Sequence, residues 1–144
     1  MRVSFGWNRP LSTIAYERSG GDEGRQWFAN TCKRFMDKYV PSRNNILSQN
    51  VRIYVSDQKG HVVYNSPYAH YQYEGILYVS SKTGSAWASA GEHKVKAQPE
   101  RKLQYNKTAK HSLATSHWDK AMMTARKADL TASYQRWLRR RSSE

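Results

Sequence analysis

The 144-residue sequence predicts a small α+β fold: an antiparallel or mixed sheet built on a hairpin, packed by a helix in the first half and another at the C-terminus, with long loops or arms. Three observations carry this. Large side chains recur every three or four residues over 22–39, the period of a helix with one buried face. Apolar residues alternate at Val51, Ile53 and Val55, the period of a strand. Asp57, Gln58, Lys59 and Gly60 then supply the polar, flexible composition of a hairpin turn. The length fits one domain with one core. Its parts are an arm over 1–21, a helix and hairpin core over 22–79, a loop or arm over 80–99, and a strand with a final helix over 100–144.

Val3, Phe5 and Trp7 alternate with small residues and predict a short strand or docking arm, which Asn8, Pro10 and the run Ser19, Gly20, Gly21 interrupt. In the first helix Trp27, Phe28, Cys32, Phe35, Met36 and Tyr39 share a face, while Arg25, Lys33, Arg34 and Lys38 lie mostly off it. Asp22 is placed to cap its start, and Pro41 ends it by excluding the preceding residue from the α region. A polar connector over 42–50 leads to the hairpin, where Gly60 suits a positive φ. The return strand runs over 61–65, Ser66 and Pro67 halt it, and an aromatic stretch over 68–75 precedes a strand over 76–79.

Residues 80–99 are rich in Ser, Gly, Ala and Lys, the composition of a long loop, with Trp87 isolated within it. Leu103 and Tyr105 suggest one more short strand. The last helix, over 116–139, has a broken apolar face of Trp118, Met122, Ala125, Tyr134, Trp137 and Leu138, and Arg139, Arg140 and Arg141 complement the negative end of its dipole.

Charge narrows the function classes. The net charge is +13, and residues 80–144 hold 14 Lys/Arg against 5 Asp/Glu, whereas the preceding residues hold 10 against 6. Such a field attracts nucleic acid, acidic protein surfaces or anionic lipid. No run approaches the roughly 18 apolar residues of a membrane span, and the N-terminus lacks a signal-peptide core, so a soluble protein made in a cytoplasm is expected. The single cysteine, Cys32, excludes an internal disulfide and a multi-cysteine zinc site, and its place in an apolar periodicity predicts a buried, inert thiol.

The densest constellation is Tyr64, Tyr68, Tyr71, Tyr73 and Tyr78 with His70 and Glu74. Tyrosines combine apolar area with a hydroxyl that accepts water or a partner, which suits an assembly interface; the same residues can also close a small core. His70 and Glu74, at i and i+4, would align on a helix as a metal pair, but no second ligand motif accompanies them and a hydrogen-bond network is the ordinary outcome. His111 and His117 have no acidic residue between them. No nucleophile elbow, P-loop or dinucleotide fingerprint occurs, so neither enzymatic activity nor a metal or cofactor is expected. Lys94, Lys96, Arg101, Lys102, Lys107 and Lys110 form either a solvated face or a basic arm for an acidic neighbour, with no base-reading module around them.

The run from Asn65 through Pro67, Tyr68, Ala69, Tyr71 and Gly75 has the form Pro-Tyr-Ala-x-Tyr-x-x-x-Gly after a hairpin. It resembles the minor capsid protein family of tailed phages, related to the tail-completion or neck proteins. Leu103, Gln104 and Tyr105, then Ser116, His117, Trp118 and Met122, follow in the same order, so that the resemblance spans about 22–138. Where that family usually carries Asp-Thr-Gly-x-Leu after the first helix, this chain keeps only Leu47.

The resemblance implies a structural, non-enzymatic protein of the virion, a tail-completion or tail-terminator ring joining head to tail. Its partners would be copies of itself, portal-side, neck and tail-tube neighbours, and, without sequence preference, the packaged DNA, with no membrane. Tyr68, His70, Tyr71, Tyr73, Glu74 and Trp87 are then the candidate assembly interface. Lys94, Lys96, Arg101, Lys102, Arg139, Arg140 and Arg141 are the candidate contacts to a DNA lumen or acidic partner. The alternatives are a basic nucleic-acid-binding accessory protein and, with His70 and Glu74 as its catalytic pair, a small hydrolase.

Overall fold

The structure, a computed structural model, describes residues 11–42 and 45–142, so the strand or arm expected at Val3 to Trp7 lies outside the described residues. Among the described residues are five α-helices and two two-stranded antiparallel sheets, an α+β fold.

The first helix among the described residues, α1 (Leu11–Arg18), falls where an arm was expected. It has no clear apolar stripe, which is why periodicity does not reveal it. Gly20 then turns the chain at φ 99 into α2 (Gly21–Met36). Asp22 does not cap this helix, since the cap position is Gly20 and the Asp22 carboxylate accepts the Tyr16 hydroxyl instead. Asp22 and Glu23 in its first turn and Lys33 and Arg34 in its last complement its dipole. The helix stops at Met36, ahead of Pro41. Tyr39 and Val40 both donate to the Met36 carbonyl (2.8 and 3.1 Å), a tight turn that drives Val40 into the core.

The polar connector contains a helical turn, α3 (Ile46–Gln49), that buries Leu47. The hairpin pairs β1 (Val51–Ser56) with β2 (Lys59–Tyr64), setting Val51 opposite Tyr64 and Ile53 opposite Val62. Its two turn residues, Asp57 and Gln58, are the ones at positive φ (51 and 61), the geometry that matches strand twist. Gly60 is required for a different reason. A Cβ there would stand 2.8 Å from the Arg25 carbonyl oxygen and 3.0 Å from the Ala29 Cβ, so its bareness lets α2 lie directly on the hairpin.

A short helix, α4 (Ala69–Glu74), occupies the aromatic stretch and ends on Gly75 at φ 72. The expected strand over 76–79 is shifted slightly to β3 (Tyr78–Ser80), and it pairs with β4 (Lys94–Lys96), which lies inside the segment read as a loop. The strand expected at Leu103 and Tyr105 reduces to one bridge between Ile76 and Lys102. A single 3-10 turn (Ala109–His111) then leads to α5 (Trp118–Ser142).

The core joins Met36, Tyr39, Val40 and Leu47 to Trp118, Met122 and Leu130 of α5, with Phe28, Phe35, Val62, Tyr64 and Tyr73 packed around them. α5 crosses this core with its C-terminal end beside the start of α2. There Trp137 stacks on Trp27 at 5.5 Å, and a Cβ on Gly20 would come within 2.7 Å of its ring. Just ahead of the N-terminal end of α5, Ser116 lies against the Gly75 turn.

Candidate interaction surface

The hairpin and α4 divide the tyrosines between two clusters. Tyr64 and Tyr73 face inward, packing edge-on against Trp118 at 5.3 and 5.1 Å. The Tyr73 hydroxyl donates to Asp119 (2.9 Å) and its ring lies 4.6 Å from that of His117. Burial raises the pKa of both phenols, helped at Tyr73 by the Asp119 carboxylate that accepts its hydrogen bond. Tyr71 and Tyr78 face outward with their rings 4.9 Å apart and His70 against both, and the Lys94 ammonium sits 5.6 Å over the Tyr71 ring. Tyr68 remains 46% exposed at the edge of a cleft of about 260 Å³ lined by Pro41, Leu47 and Tyr105.

Gly75 fixes this arrangement. A side chain there would meet Ser116 Cβ and the Tyr105 hydroxyl, each at 2.7 Å, and its φ of 72 is already unfavourable for other residues. Tyr105 locks the same turn by donating to the Gln72 carbonyl (2.6 Å). The Pro-Tyr-Ala-x-Tyr-x-x-x-Gly run is therefore a short helix with a tightly seated C-terminal cap. Tyr105 and His117 complete the site although the cluster itself does not point to them; they lie in the downstream runs Leu103 to Tyr105 and Ser116 to Trp118.

Of the two groups of expected contacts, β3 and β4 bring part together. Tyr78 pairs with Lys96 and Ser80 with Lys94 across the ribbon, so the cations of β4 share a face with the outer aromatic cluster. Arg101 and Lys102 are exposed on the strand-like segment that follows. Trp87, on the loop over 81–93, is 87% exposed. His70 and Glu74 do share α4, but no group of three or more His, Cys, Asp or Glu side chains able to hold a metal is assembled among the described residues.

The C-terminal arginines lie elsewhere. The 25 residues of α5 span about 37 Å, and Arg139, Arg140 and Arg141 occupy its end away from the Gly75 turn. Arg141 reaches Glu23 at 3.3 Å and lies over the Trp137 ring, and Arg139 and Arg140 are likewise engaged within the fold. His111 is buried and serves the fold: its Nδ1 meets the Asp37 carbonyl oxygen at 2.6 Å and its Nε2 lies 3.2 Å from Asn45 Oδ1, tying the 3-10 turn to the end of α2.

No family model, curated protein or solved structure matches this chain.

Proposed function

We propose that this chain is a structural component of a tailed-phage neck, a tail-completion or tail-terminator type ring protein that joins head to tail and catalyses no reaction. The phage assignment rests on the ordered resemblance over 22–138. The observation that carries the assembly role is α4. It holds His70 exposed and Tyr71 half-buried on the side away from the core, while Tyr73 turns toward Trp118, and none of its six residues is fully buried. A rigid, glycine-capped helix that keeps aromatic side chains at the surface suits a face that neighbours cover, because burying such area supplies much of the energy of an interface.

The test introduces Tyr68→Ala and Tyr71→Ala separately into the phage that encodes the chain. Both purified variants should melt as the parent does, since neither ring is in the core. Infectious yield should fall, with unjoined heads and tails accumulating in electron micrographs. Normal yield from both variants, or absence of the chain from purified particles, overturns the proposal.

A further inference from the structure

The loop between β3 and β4 is braced to an unusual degree around one exposed indole. The Ser80 hydroxyl donates to the Glu92 carboxylate and accepts the N–H groups of Lys82 and Thr83 (3.2 and 3.1 Å). The second Glu92 oxygen accepts the Ser89 N–H at 2.8 Å. Lys94 donates to the carbonyl of Ala86 (2.9 Å), and Ser85 Oγ accepts the N–H of Trp87 itself (3.1 Å). These bonds fix the backbone on both sides of a ring that touches little else. A loop ordered in advance loses less entropy when its tip is captured. Trp87 is thus presented, and nothing among the described residues receives it.

The surroundings say what would. In a protein–protein hot spot a tryptophan sits within an apolar, water-excluding patch. Here its sequence neighbours are Ser85, Ala86, Ala88 and Ser89, and the exposed charges of the ribbon are the ammonium groups of Lys82 and Lys96. Among the described residues of a second copy most carboxylates are already engaged, since Asp22, Glu23, Asp37, Glu92, Asp119 and Asp129 hold internal partners. An exposed flat ring on a ribbon that also carries exposed cations matches a ligand that carries flat rings and anions in alternation.

We infer that the β3–β4 arm binds single-stranded nucleic acid, Trp87 stacking on an unpaired base while Lys82 and Lys96 neutralise the flanking phosphates. This is independent of the neck assignment: a chain that binds strands but never enters particles keeps the one and loses the other.

The test measures binding of the full chain to fluorescent oligothymidylate, oligouridylate and a duplex of equal length, with poly-L-glutamate as the acidic-protein probe. Oligothymidylate or oligouridylate should bind more tightly than duplex, and the tighter of the two identifies the strand. Trp87→Ala should weaken strand binding about 5- to 150-fold, leaving duplex binding and the melting temperature unchanged. Joint replacement of Lys82 and Lys96 by Gln should reduce the slope of log affinity against log salt by about 1.4. Strand binding by Trp87→Ala equal to the parent overturns the inference. So does poly-L-glutamate binding with the same dependence on Trp87, which would make the partner an acidic protein.

Discussion

Cys32 sits on α2 in a groove shared with Phe28, Val62 and Tyr134, and burial alone pushes its thiol from an ordinary 9.0 up to about 11. The reactive form of a thiol is the thiolate, so the native cysteine is a poor nucleophile. At pH 8 its labelling by a disulfide reagent should be roughly 100-fold slower than in the unfolded chain, as two pKa units of thiolate population require. Equal rates would show that the groove is open to solvent. The same shift has a stability consequence. The folded pKa is raised, so the contribution is fully present below about pH 9 and is lost as pH rises through about 11. Tyr64, raised by burial, pulls in the same direction at still higher pH. Unfolding in urea should therefore need less denaturant at pH 11 than at pH 8, with Cys32→Ser flattening part of that slope.

At the scale of elements, α5 shows how a buried face escapes sequence reading. Trp118, Met122, Arg126, Leu130 and Tyr134 stand four apart and form one stripe. Arg126 occupies an apolar position because its guanidinium lies 4.4 Å over the Phe35 ring while its Nε donates to Asp129 (2.7 Å). A charged residue in the stripe shifts attention to Ala125, which is exposed, and away from Leu130, which is 2% exposed. Leu130→Ala should cost about 2–5 kcal/mol in urea unfolding, whereas Ala125→Ser should stay within about 0.5 kcal/mol; the reverse order would mean that α5 is rotated about its axis. Elements with a clean period were legible: α2 from its run of large residues, the hairpin from its alternation. α1 has no stripe, and α4 is too short to establish one. β4 is three residues inside a Ser, Gly and Ala tract, so its pairing with β3 is a tertiary fact that local pattern does not encode. The candidate site was legible as residue types but not as a surface, because only that pairing sets Lys94 against Tyr71.

For the whole molecule, a net charge of +13 sets two electrostatic effects against each other. Like charges held close in the compact state repel, and unfolding relieves them. Ion pairs oppose this, among them Lys33 with Asp37, Arg126 with Asp129, and Arg141 with Glu23, at 3.1, 2.7 and 3.3 Å. These pairs are partly exposed, and such pairs contribute at most about 1 kcal/mol each. Raising chloride salt from about 10 to about 150 mM shortens the screening length from roughly 30 to 8 Å. Screening at that range removes the long-range repulsion among many cations but weakens a contact pair only partly. Salt should therefore stabilise the isolated chain, by on the order of 1 kcal/mol, or about 3–5 °C in melting temperature. Sodium chloride is the proper titrant, since sulfate also strengthens apolar burial and would confound the reading. A melting temperature that falls across this range would mean that the ion pairs outweigh the net charge, and Arg141→Gln should then reproduce part of the fall at low salt.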